Sequence, residues 1–159
     1  MERLSQATSF AHMGGEMAVL TDILVAPAHD APAIISEWPG EKRWPAIEAT
    51  GLDGLVFEEL AVALGHPRLA EAIQDLDPSS FADEANGPWV YVLPTELREQ
   101  LVVLLPEDFA RVSKAWSQGE EARGRGLTPE IAEGLLRQLH SLANRAHQED
   151  RALLLWISL

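Results

Sequence analysis

Residues Ala152–Leu159 read Ala-Leu-Leu-Leu-Trp-Ile-Ser-Leu, an apolar run with no polar alternation. A strand that is apolar on both faces must be covered on both faces, which places it deep in a sheet rather than at an exposed flank. The rest of the chain therefore has to supply a sheet around this segment and two covering layers. The residues before it form a helix. Thr128-Pro129-Glu130 is a strong helix start, with Thr to cap, Pro fitted to the first turn and Glu matched to the positive end of the dipole. Ile131, Leu135, Leu139, Leu142 and Ala146 recur at helical spacing, broadened by Leu136 and Ala143, and these are expected to face inward. Glu133, Arg137, His140, Asn144, His147 and Arg151 make the solvent face, with Glu133–Arg137 an i, i+4 pair. A helix that runs straight into a strand is expected to lie across the sheet which that strand joins.

The chain has 159 residues, which fits one domain with a real core. We expect residues 1–16, poor in large apolar groups, to be a flexible N-terminal extension and 17–159 to be a single α+β domain. Met13 and Met17 are alternative starts, and Gly14-Gly15 offers a weaker match to a double-glycine leader. There is no cysteine, so disulfides, thiolate nucleophiles and Cys-type metal sites are excluded. No apolar run approaches the roughly 18–20 residues that cross a bilayer, and no basic region precedes an apolar run near the start. The expected location is cytoplasmic, with no membrane partner.

The formal charge is −13, and residues 17–93 carry most of it: Lys42, Arg43 and Arg68 stand against thirteen acids there. A field of that sign repels phosphate backbones, which argues against nucleic acid. It favours solubility first and, among partners, a basic protein.

Along the chain, Ala18–Ala26 has strand character and Pro27 ends it; Asp30 is a candidate cap for a short helix to Glu37. Trp38-Pro39-Gly40-Glu41-Lys42-Arg43-Trp44-Pro45 then sets two Trp-Pro dipeptides around a basic doublet. Trp and Arg on a loop fit an interface hot spot. Equally, two Trp rings fit core anchors with Lys42-Arg43 at the turn, and the usual burial of Trp favours this second reading. Further strands are expected near 45–50 and 88–93, and helices over Leu52–Leu64, from Pro67 to Leu76, after Pro94 and after Pro106. Leu97, Leu101, Leu104 and Leu105 should face inward, as should Phe109, Val112 and Trp116, with a Glu107–Arg111 pair outside. Asp77–Asn86 reads as an acidic loop and Glu120–Leu127 as a flexible connector.

The candidate binding residues are Trp38, Lys42, Arg43, Trp44, Asp53, Glu58 and Glu59. Carboxylates can do acid/base work or hold a cation, but Glu58 and Glu59 diverge by about a hundred degrees on one helix. Arg123, Arg125 and the helix start at Thr128 could bind an anion, although no P-loop ending is present and Glu120, Glu121 and Glu130 oppose it. No catalytic triad, zinc-helix, dinucleotide or calcium-loop motif occurs, so no catalytic residue, metal site or cofactor is assigned. His140 and His147 share a helical face about 10 Å apart and are expected to be solvated.

From Met17 on, the chain resembles a family of small acidic bacterial proteins without an assigned activity. Met17–Ile23, Gly51-Leu52-Asp53, Gly87-Pro88-Trp89-Val90 with Leu93-Pro94, Trp116 and Leu155–Leu159 carry the resemblance. In element order it is distantly similar to YfbM-like proteins. The resemblance implies an α+β fold and a start at Met17, and it supplies no mechanism. The functional expectation is a non-catalytic interaction protein of inhibitor or immunity type, acting through an acidic surface. The alternative is a small-molecule binder or enzyme with a cleft between the Trp38–Trp44 loop and Asp53, Glu58 and Glu59. The fold expectation is one α+β domain with a small antiparallel or mixed sheet, helices packed on it and the apolar terminal strand buried.

Overall fold

Strand β5, Ala152–Ser158, lies at the centre of a five-stranded, wholly antiparallel sheet of order β2-β1-β5-β4-β3. The computed structural model describes residues 19–49 and 51–159. The expectations for residues 1–16, including the leader reading and the alternative starts, lie outside them. Among the described residues the other strands are β1, Leu20–Ala26; β2, Ala46–Glu48; β3, Ser80–Phe81; and β4, Trp89–Val92. The helices are α1, Ala31–Glu37, entered through a single 3-10 turn; α2, Gly54–Ala63; α3, Pro67–Gln74; α4, Thr95–Val102; α5, Pro106–Ser117; α6, Glu120–Gly124; and α7, Pro129–Glu149. The fold is α+β.

The two faces of β5 enter two different cores, which is why the strand has no polar alternation. Leu153, Leu155 and Ile157 join Ile23, Val25, Trp89 and Tyr91 under helices α2 to α7. Leu154 and Trp156 join Leu24 and Val90 under α1 and the Trp38–Trp44 loop. Period-two side-chain direction turns one apolar strand into the partition between two layers.

Helix α7 crosses the first face against β1, β2 and β5. The Thr128 hydroxyl accepts from the Ile131 N–H at 3.2 Å, and the helix ends at Asp150 in the left-handed conformation, φ 55°. Glu133 and Arg137 pair at 2.6 Å.

Several local expectations change. Ile131 is 57% exposed: it stands in the first turn of α7 and lines an open hollow with Glu48 and Leu52. Leu105 is 55% exposed because it precedes α5, with its N–H bonded to the Asp108 carboxylate. Arg111 pairs with Asp108 at 3.0 Å rather than with Glu107. Asp30 does not cap α1; it accepts from the Trp44 indole instead. The stretch Glu120–Leu127 is no open connector, since it contains α6, and Asp77–Asn86 contains β3. His140 is drawn in between helices, with Nδ1 2.8 Å from the Leu101 carbonyl and its ring edge-on to Phe109. His147 sits 3.2 Å from Glu99.

Candidate functional site

Helix α2 begins where the chain leaves β2, and its N-cap is a carboxylate with two tasks. Asp53 accepts from the Leu55 N–H through one oxygen, at 3.0 Å, and from Arg125 through the other, at 2.6 Å. Arg125 also donates to the Gly51 carbonyl at 2.6 Å and stands 3.7 Å from Glu121. Asp53 is fully buried and the Arg125 side chain is nearly so. Two residues expected in separate sites thus neutralise each other, and Arg125 is committed to the fold rather than open to an anion.

Two turns of helix geometry then place Glu59 over the start of α6. Its carboxylate accepts from the N–H groups of Glu121 and Ala122, at 2.8 and 2.9 Å. This satisfies free donors of a short helix from 62 residues away in sequence and sets negative charge at its positive end. Gly119 leaves room for it there, since a Cβ on it would force the Glu59 carboxylate to shift.

Glu58 is the odd member. It is half-buried, and among the described residues no hydrogen bond or ion pair reaches its carboxylate. Burial, followed by the charges of Asp53, Glu59, Asp75 and Glu121, pushes its pKa up to about 7. Arg125, which pairs with two of these acids, is already engaged by Asp53 and Glu121. The result is a rim of four carboxylates, Glu58, Glu59, Asp75 and Glu121, above the buried Asp53 where α2, the α3 end and α6 meet, and among the described residues no cation pairs with Glu58.

The Trp38–Trp44 loop lies under the opposite face of the sheet. Trp38 and Trp44 are 8% and 4% exposed and belong to the second core. Their indole N–H groups donate to Asp22 at 2.8 Å and Asp30 at 3.0 Å. The Lys42 ammonium sits 4.6 Å from the Trp38 ring centre, and the Arg43 guanidinium 4.3 Å from that of Trp44. Arg43 also pairs with Glu37 at 3.4 Å. The expected cleft between this loop and Asp53, Glu58 and Glu59 does not form, because the sheet separates the two sets. A hollow of about 340 Å³ does open beside the loop, lined by Asp22, Trp38, Lys42, Trp44 and Glu48 among others.

Arg123 and Thr128 line a third feature, a hollow of about 320 Å³ with Ser117, Gln118 and Leu127. Arg125 is not part of that lining, so the three residues of the expected anion site do not converge. Among the described residues no group of three or more His, Asp or Glu is arranged to hold a metal ion, and no helix is long and apolar enough to cross a membrane.

The Asp53–Arg125 and Glu59–α6 links were beyond sequence reasoning, since neither pairing leaves a local pattern. Glu58 was visible in the sequence as one of the carboxylates near Asp53 and Glu59 in an acid-rich half, but its crowding was not. Comparison with family models, with curated proteins and with solved structures finds no match to the chain.

Proposed function

We propose that the chain is a non-catalytic interaction protein, of inhibitor or immunity type, whose acidic rim receives a basic protein. Glu58 carries the reading. A half-buried carboxylate crowded by four others, with no cation paired to it among the described residues, is costly to ionise, and a Lys or Arg from a partner would offset that cost. Charge of one sign also steers a basic partner toward the rim and weakens other anions as competitors. The rim is a surface where two helices and a helix end meet, and Glu58 lines none of the hollows described above, which favours a docking surface over a catalytic cleft. We take the protein to act in the cytoplasm, away from membranes and nucleic acid.

Immobilised protein at low ionic strength should retain basic proteins from a lysate and release them with salt. Retention should tighten as pH rises through about 7, where Glu58 ionises. The double variant Glu58→Gln, Glu121→Gln should lose the retained species. Retention equal in the wild type and the double variant would remove the rim from the reading.

A further inference from the structure

The hollow beside the Trp38–Trp44 loop joins two indoles to a pair of opposed carboxylates. Asp22 on β1 and Glu48 on the edge strand β2 are direct cross-strand partners, on the sheet face that the loop covers. Like charges directly opposite one another on a sheet are unfavourable. Among the described residues Asp22 is held only by the Trp38 indole N–H, and no hydrogen bond or ion pair reaches Glu48. The Trp38 and Trp44 side chains are fixed, since each is buried and each N–H is bonded to a carboxylate. The walls are therefore rigid and aromatic, and the acids at the mouth have no cation paired to them.

One cation is already inside. The Lys42 ammonium lies over the Trp38 ring, although it comes from an exposed turn and forms no ion pair with either acid. With Lys42 in place the charged lining still sums to one negative charge, from Asp22, Glu48 and Lys42. Lys42 thus holds an ammonium against the face of Trp38 from within the lining of the hollow.

We infer that this hollow is a binding site for an organic cation, an alkylammonium that would stack on Trp38 in place of Lys42 and lie between Asp22 and Glu48. Cation–π attraction and two carboxylates select a positive head on an alkyl stem. A volume of about 340 Å³ admits a short diamine or the end of a lysine side chain. This site lies across the sheet from the Glu58 rim and does not depend on the proposed docking there.

The test is an NMR titration of the full chain, following the Trp38 and Trp44 indole N–H signals. The probes are 1,4-diaminobutane for a free amine and Nα-acetyl-lysine amide for a side chain. Saturable shifts of the Trp38 signal are expected. Lys42→Ala should tighten binding at least about tenfold, because it removes the internal competitor, and Glu48→Gln should weaken it about tenfold. The Glu48 side chain is exposed and makes no hydrogen bond or ion pair among the described residues, so that variant should keep the wild-type spectrum elsewhere. Tighter binding of the diamine assigns the site to free amines, and tighter binding of the lysine amide assigns it to a protein side chain. Absence of a saturable Trp38 shift in both the wild type and Lys42→Ala, or shifts indifferent to Glu48→Gln, would overturn the inference.

Discussion

The Asp53 carboxylate and the Arg125 guanidinium meet at 2.6 Å across 72 residues of chain, with Asp53 entirely out of solvent. The pair fastens the start of α2 to the turn after α6, and Arg125 reaches the Gly51 carbonyl as well. Removing one partner of a buried pair strands the other. Arg125→Met should therefore destabilise the protein by about 3–5 kcal/mol in urea unfolding. Adding Asp53→Asn, which keeps an acceptor for the Leu55 N–H, should recover part of that loss, with a coupling of about 1–3 kcal/mol. A strictly additive double variant would mean that the two side chains do not act as a pair.

Glu59 and Gly119 form a second long-range joint. Glu59→Ala leaves the Glu121 and Ala122 N–H groups without their acceptor and should cost about 2 kcal/mol. Gly119→Ala should also destabilise, since its Cβ would displace the Glu59 carboxylate. In the Glu59→Ala background the same glycine substitution should cost close to nothing, because the obstacle is gone. Thermal unfolding of the two single variants and the double variant decides it.

The contrast between these joints and β5 marks what could be read from sequence. Ala152–Ser158 announced its own environment, because a strand with Leu153 and Leu154 on opposite faces can only sit between two layers. Thr128 and Pro129 marked the start of α7 by local chemistry alone. Helix α6 reads as a connector because Gly119, Gly124 and Gly126 punctuate a stretch only five residues long; Glu59 caps it from another helix. Strand β3 has two residues, too short for any periodicity. His140 looked solvated on a helical wheel, yet the Leu101 carbonyl and the Phe109 ring approach from neighbouring helices. At the candidate sites the residue types were visible, but not the partition: the sheet separates Trp38 and Trp44 from Asp53, Glu58 and Glu59, and only topology shows that.

Glu58 makes stability fall as pH rises. Its pKa is about 7 in the folded chain against 4.5 for the free group. Between these values the folded state keeps a proton that the unfolded state has lost, so stability declines from pH 4.5 to about 7 and is flat above. Glu58→Gln removes that dependence. It should match the wild type below pH 4.5 and exceed it at pH 8, by about 1 kcal/mol once solvent screening of a half-exposed group is allowed for. Urea midpoints at the two pH values check it. A wild type and variant that differ equally at both would show that the crowding around Glu58 is relaxed in solution.

Ser113 sits inside α5, 1% exposed, with a hydroxyl that finds no hydrogen-bond partner among the described residues. A buried hydroxyl left unpaired carries its desolvation cost, and Ser is a weaker helix former than Ala. Ser113→Ala removes both penalties and leaves a space no larger than one oxygen atom, next to Val112 and Trp116 in the same helix. The variant should gain about 1 kcal/mol, read as a rise of roughly 2–4 °C in Tm for a chain of this size. Ser113→Val should lose part of the gain, because a β-branched side chain adds volume to a filled position. A destabilised Ser113→Ala would mean that the hydroxyl has a partner, such as a buried water, and that α5 is anchored through it.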